Sequence, residues 1–383
     1  MDQFAQWIAH IANDGLASLY TDNPGGPVTF GPVMGYVWWV LGLLQPAFAT
    51  ATDASDPILN AWMKIPGSLA DLGMAAVAVA ALHSTPRWAI VAAAAILLSP
   101  AIVDVSAWWG QYESIYVLPA LAGVVAASVR RNGLAAVLFA VALATKPQAI
   151  PLIIPFVAWC WATGGWRETA RCAAIGAVAF VGLWLPHLPG GPIAYLGNLR
   201  TYQDEIFPYL SLRAWNPWSL VQEAAAGGQF IPDDVPIVGP ITFRVIGFGI
   251  TALLSVVVMA AVLRRPTPRT LVLATTASVL VFFCAMTQMH ERYSYAALVI
   301  PVLLLADAQV RWWWLALSVA VTLNLLAAIP PTPRIGELLS ATGSLAIVGA
   351  IVITGLTWWI MVSARRSSDE RSFDRATRPP EPT

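Results

Sequence analysis

The chain of 383 residues is 58% hydrophobic and only 11% charged, against about 25% charged in an average soluble domain, which excludes a soluble globular protein and a disordered one. Lys+Arg and Asp+Glu both number 21, so net charge is zero and no basic footprint for nucleic acid exists. Its 18 tryptophans fit interfacial belts, and many apolar runs approach the roughly 20 residues that cross a bilayer as helix, so the chain reads as an all-α polytopic membrane protein.

Residues 1–27 lack the basic start and apolar run of a cleavable signal peptide. From Phe4 to Leu16 apolar and polar residues alternate at helical spacing, which predicts an amphipathic helix at the outer interface. The apolar stretch 28–49 is weakened at its start by Gly31, Pro32 and Gly35, and 50–61 carries no positive charge; a re-entrant or interfacial helix on the outer face is favoured over an ordinary span. Eleven spans follow, at about 62–82, 87–104, 112–129, 133–145, 148–162, 172–187, 241–263, 270–288, 293–307, 312–329 and 340–363. The chain then divides into an outer-face segment 1–61, a first bundle half 62–187, an extracytoplasmic loop 188–240, a second half 241–363 and a charged, Pro-rich, disordered tail 364–383. Tyr195, Tyr202, Tyr209, Trp215 and Trp218 argue that the loop is ordered. No internal repeat is visible, and Cys160, Cys172 and Cys284 read as small core residues without metal spacing.

Basic residues set the sidedness. Arg87, Arg130, Arg131, Arg167, Arg171, Arg264, Arg265, Arg269, Arg311 and five tail arginines, 14 of the 21, fall on one face, which the positive-inside rule makes cytoplasmic. Arg130/Arg131 and Arg167/Arg171 then share a side, so 133–162 is a hairpin with Lys146-Pro147-Gln148 at its tip. Arms of about 13–15 residues reach roughly 20 Å, short of a 30 Å core, which recesses the tip beside an outward-facing cavity.

Charged groups at membrane depth are expensive, so each is a candidate for function. Four places stand out, all on the predicted outer face. Met289-His290-Glu291-Arg292-Tyr293 holds three ionisable residues in a row; Arg beside His suits a phosphate oxygen, and the plainer reading is a snorkelling loop. Lys146 is one of two lysines, readable as an anion-binding charge or as half of an ion pair between helices. Trp108-Trp109-Gly110-Gln111-Tyr112-Glu113-Ser114 offers aromatic faces beside an amide and a carboxylate, which suits a sugar ring, or a helix start in an aromatic belt. The fourth is the amino-terminal segment with Asp2, Trp7, His10 and Asp14, then Tyr20 to Pro24; on its own residues Asp2 is a solvated terminal charge. Asp71, within a span, is expected to hydrogen-bond a neighbouring helix. No nucleotide-binding or serine-nucleophile motif is present, so an energised donor would be carried in the membrane.

In this order the four places resemble the GT-C superfamily of membrane glycosyltransferases. The closest likeness is to bacterial relatives of GPI mannosyltransferase II, with a more distant one to the dolichol-pathway glucosyltransferases. The elements that carry it are Asp2-x-Phe4-x-x-Trp7, the Gly-Pro stretch leading to Gly35-Tyr36, Lys64-x-Pro66 with Asp71, Ser99-Pro100, Trp109-Gly110-Gln111-x-Glu113, Lys146-Pro147-Gln148 and His290-Glu291-Arg292-Tyr293. They cover nearly the whole chain. Two departures are plain: the family places a transmembrane helix before its catalytic aspartate, so that first helix is expected to be missing here, and a Tyr-Pro-Pro-like run is replaced by Asn23-Pro24-Gly25-Gly26-Pro27.

The resemblance implies transfer of a hexose, most often mannose, from a polyprenyl-phosphate carrier to a glycan, lipid or protein acceptor, at the outer face of the plasma (inner) membrane. It implies Asp2 as the base, Lys146, His290 and Arg292 at the donor phosphate, and Trp109, Gln111, Glu113, Gln148, Glu291 and Tyr293 around sugar and acceptor. No cofactor and no metal are expected. A transporter of lipid-linked saccharides and a non-catalytic membrane subunit are the alternatives.

Overall fold

The computed structural model describes residues 1–21, 23 and 25–366. Asp22, Pro24 and the tail from 367 lie outside the described residues; the first three residues of the expected tail, 364–366, are helical.

The fold is helical throughout. Helix α1 (Asp2–Asp14) buries Phe4, Trp7, Ile8 and Ile11 on one face, the spacing read in the sequence. Helix α2 (Pro32–Leu44) has 13 residues, about 20 Å, too short to cross a bilayer core. It lies on α1, and Phe4, Trp7, Phe30, Trp38 and Tyr112 form one aromatic cluster with ring centroids 4.9–6.3 Å apart. Helix α3 (Pro57–Ala81) is capped by Asp56 and is the first long apolar helix. Helices α4 (Pro86–Leu97) and α5 (Pro100–Val103) break at Ser99-Pro100; with the π-helical turn Asp104–Trp109, the pair is bent by 46°. Gly110, at φ 80°, ends that turn in a left-handed conformation. Helices α6 (Glu113–Ser128) and α7 (Asn132–Thr145) follow.

Helix α8 (Ile150–Trp184) runs through two predicted spans, 148–162 and 172–187, joined across Gly165 at φ 66°. That break closes the expected hairpin. Asn132 donates to Glu168 at 2.9 Å and Arg130 lies over Trp159 at 4.7 Å, so the two basic turns share one end. Arg87 and Arg311 flank Trp88 at 5.4 and 5.1 Å, as their assignment to one face requires.

The loop 188–240 is ordered around α9 (Gly191–Thr201), strand β1 (Ser211–Leu212), α10 (Pro217–Ala226) and strand β2 (Pro236–Val238), which pairs with β3 (Ile241–Thr242). Helix α11 (Phe243–Arg264) leads to α12 (Pro268–Ala285), the central helix: 15 of its 18 residues are buried. Strand β4 (Met289–His290), a 3-10 turn, α13 (Ala296–Val299) and a second 3-10 turn, Ile300–Leu304, come next. Helices α14 (Ala308–Ala328), α15 (Pro333–Leu338) and α16 (Ser344–Arg366) complete the described chain.

Among the described residues six helices are long and apolar enough to span, seven with the bent pair. The eleven expected spans also take the two helices that meet at the Gly165 kink separately, as the backbone there bears out, include the shorter α6 and α7, of 16 and 14 residues, and take 293–307 as one helix. That last stretch is short pieces, buried throughout from Ser294 to Leu305, and broken helix at depth is tolerated where protein surrounds it.

One close approach fixes the hairpin tip. Gly31 donates its backbone N–H to Thr145 at 2.9 Å, and a Cβ on Gly31 would stand 2.2 Å from the Ala144 carbonyl oxygen. Gly31→Ala is expected to destabilise the protein by about 1–3 kcal/mol, the range for overpacking, and to lower the melting temperature in detergent. An unchanged melting temperature would show that α2 and α7 do not meet this closely.

Candidate active site

Lys146 precedes a proline, which disfavours the helical region, and it is extended at φ −156°, ψ 136°. The chain therefore leaves α7 and re-enters helix at Ile150, with Lys146 turned inward and 5% exposed. Its Nζ donates to Glu113 Oε1 at 2.5 Å and lies over the rings of Phe30 and Tyr293 at 5.1 and 5.3 Å.

Glu113 opens α6, where the helix dipole favours a carboxylate, and is fully buried. The same Oε1 accepts Arg292 Nε at 3.1 Å, and Arg292 Nη1 donates to Glu291 at 2.9 Å. Arg292 also lies over Trp109 at 4.8 Å. Lys146, Glu113, Arg292 and Glu291 thus form a chain of alternating sign, two charges of each, as buried ions require. Both readings of Lys146 meet here: it is an ion pair between helices, and it borders a cavity.

That cavity is about 440 Å³. Lys146, Gln111, Gln148, His290, Arg292 and Tyr293 line it, with Met1, Gln3, Phe4 and Trp7 from α1. All four places singled out in the sequence contribute. Glu113, Glu291 and Trp109 stand behind the cations rather than on the wall. Asp2 is not on the wall either: it is exposed and accepts the Ala54 N–H at 3.0 Å. Asp71 lies apart, accepting from Tyr295 at 2.8 Å and Ser106 at 3.2 Å, the helix-to-helix role expected of it.

His290 is not a third cation. Burial, then the nearby Arg292 and Lys146 charges, hold its pKa well below the usual imidazole value, so at neutral pH it is uncharged. Its ring meets Phe207 and Tyr293 edge-on at 5.1 Å each. Among the described residues no three His, Cys, Asp or Glu side chains group as a metal set.

The loop 188–240 supplies what the motifs did not reveal. Tyr202, Gln203 and Phe207 line the cavity, as do Phe30 and Gln288. Strand β1 pairs in parallel with β4, Leu212 against His290, and Arg213 bridges to His290. Arg213 and Gln288, flanking the pair, hold φ at 62°, a strained setting of the kind found at functional sites. Asn216 and Trp218 donate to the Phe283 and Ala285 carbonyls at 2.9 Å, clamping the loop onto the end of α12. Beneath lies Asp233, fully buried. Its carboxylate accepts from Arg244 Nη2 at 2.8 Å, Thr287 at 2.6 Å and Gln288 at 3.0 Å. No sequence signal singles out Asp233, because its partners are up to 55 residues away.

A model described as the ALG6, ALG8 glycosyltransferase family matches residues 32–374. The chain belongs to the ALG6, ALG8 glycosyltransferase family. No curated protein matches it. As a member of this GT-C-type family it is a multi-pass membrane glycosyltransferase, which favours the transferase over the transporter and subunit readings. The match falls on the likeness read as the more distant one; it does not confirm the likeness to bacterial relatives of GPI mannosyltransferase II. It takes in every expected site residue except Asp2, which precedes residue 32.

Asp233→Asn should destabilise this glycosyltransferase by about 1–3 kcal/mol, since it removes a fully buried charge that accepts from half-buried Arg244, Thr287 and Gln288. Asp204→Ala, which removes Arg244's exposed partner at 2.6 Å, should cost under about 1 kcal/mol. Melting temperatures of the two variants check the contrast; equal effects would remove Asp233 as the anchor of Thr287 and Gln288.

Proposed function

We propose that the chain transfers a hexose from a polyprenyl-phosphate carrier to an acceptor on the extracytoplasmic face. The observation that carries this is the cavity wall, where two fixed cations and a neutral imidazole meet. Polyprenyl phosphate leaves with its negative charge, and Lys146 and Arg292 are placed to stabilise it electrostatically without a proton. An apolar groove of about 390 Å³ between α7 and α8, lined by Leu143, Ile153 and Phe180 among others, supports a lipid-borne donor. Leu143 precedes Lys146 by one helical turn, and Ile150, one turn before Ile153, already lines the polar cavity. Trp109, Gln111, Glu113, Gln148, Glu291 and Tyr293 remain assigned to sugar and acceptor, with Glu113 and Glu291 acting through the cations they hold.

In the transfer the acceptor oxygen attacks the anomeric carbon, the bond from that carbon to the phosphate oxygen breaks, and the electron pair stays on phosphate. The acceptor's proton goes to a carboxylate. Glu113 and Glu291 are engaged by Lys146 and Arg292, whereas Asp2 is exposed on the helix that presents Met1 and Gln3 to the cavity. Asp2, off the wall and accepting from the Ala54 N–H, is the base in this reading on the strength of the family resemblance. The positive-inside count supports an outward-facing site in the plasma membrane. The family leaves the hexose open between mannose and glucose.

The donor test uses purified protein in proteoliposomes with polyprenyl-phosphate mannose and polyprenyl-phosphate glucose. Transfer should occur with one of them, need no added divalent metal, and fall by about 100-fold or more in Arg292→Ala, the scale of a lost electrostatic contact. Folded Lys146→Ala and Arg292→Ala proteins that both transfer at the wild-type rate would overturn the donor site.

Asp2→Asn should lower kcat by roughly 100-fold or more with donor affinity little changed, because the amide keeps the shape and cannot take a proton. Normal turnover in that variant would move the base elsewhere.

A further inference from the structure

The four-charge chain is neutral, which is unexpected for a site whose ligand is an anion. Glu113 Oε1 takes Lys146 and Arg292 at once, and Glu291 takes Arg292 again. Among the described residues Glu113 Oε2 has no partner although it is buried, and Arg292 donates through Nε and Nη1 alone. Both cations can therefore exchange carboxylate for phosphate oxygen without leaving the wall, and the carboxylates stay within reach to take them back.

The chemistry of donor and product gives that exchange a consequence. A polyprenyl-phosphate sugar is a phosphodiester with one negative charge. The polyprenyl phosphate left after transfer is a monoester, with about 1.5 to 2 charges at neutral pH. Uncompensated cations would hold the product more tightly than the donor and stall turnover. Resting on the carrier reading above, we propose that Glu113, with Glu291, competes with phosphate for Lys146 and Arg292 and so governs release of the dianionic product. Glu113 is then a positioning residue that acts through the two cations, and specificity for diester over monoester is its output.

Glu113→Gln keeps the shape of the side chain and removes the competing charge. Product inhibition by polyprenyl phosphate and the KM for donor are measured on the same proteoliposomes. The inhibition constant should tighten about tenfold or more, the scale of one unit charge a few ångströms away in a half-buried site. Donor KM should change less, and a first-turnover burst should appear as release becomes limiting. A merely structural role would weaken donor and product together. A folded Glu113→Gln protein that binds product no more tightly than wild type overturns the proposal. If that variant does not fold, Glu291→Gln, which bonds Arg292 but not Lys146, should show a smaller shift in the same direction, and its absence overturns the proposal equally. Wild-type protein that is indifferent to polyprenyl phosphate would instead overturn the carrier reading, and this inference with it.

Discussion

The site depends on the cost of burying charge. In a low-dielectric interior a lone ammonium or guanidinium is prohibitive, and a shared carboxylate is the cheapest remedy. Glu113 is that remedy: one oxygen joins the tip of the α7–α8 hairpin to the turn after α12. Glu113 thereby holds Lys146, 33 residues on, and Arg292, 179 residues on, at one atom. The aromatic rings follow from the same constraint, since Phe30, Trp109 and Tyr293 offer their faces to cations that carry few other donors' partners.

Irregular backbone is the second constraint, and it coincides with the first. The chain breaks at Lys146-Pro147, in the π-helical turn ending at Gly110, and from Met286 to Ser294. Each break presents functional side chains to one cavity, and each has its polar backbone enclosed by protein or facing that cavity. Regular helix would carry these residues around a helical face at fixed spacing. Broken helix lets Gln111, Lys146, Gln148, His290 and Arg292 converge.

Much of this was legible in the sequence because charge and proline are rare in an apolar chain and therefore conspicuous. The hairpin with its recessed lysine followed from two arginine turns and Lys146-Pro147. The four candidate places followed from charge at membrane depth. What stayed hidden is relational. The pairing of Glu113 with Lys146 and Arg292 has no local pattern, and Asp233 is indistinguishable in sequence from its neighbour Asp234. The stretch 293–307 reads as one helix because apolar runs look alike whether they face lipid or lie buried in protein as short pieces. The sequence does not reveal the protonation of His290, whose pKa burial and the Arg292 and Lys146 charges hold well below the usual imidazole value.

The remaining wall differs in kind from the charged one. Trp7 Nε1 and Gln148 Oε1 are buried and without a partner among the described residues, and both residues line the cavity. An unpaired buried donor and acceptor cost stability unless a ligand satisfies them. Hydroxyl groups can serve both, and the aromatic faces of Trp7 and Phe30 suit the apolar faces of a pyranose ring. The wall thus offers compensated cations, which suit a charged group, and uncharged polar atoms among aromatic rings, which suit hydroxyl groups. A phosphate joined to a sugar carries both kinds of group in one molecule, which supports the donor proposed above.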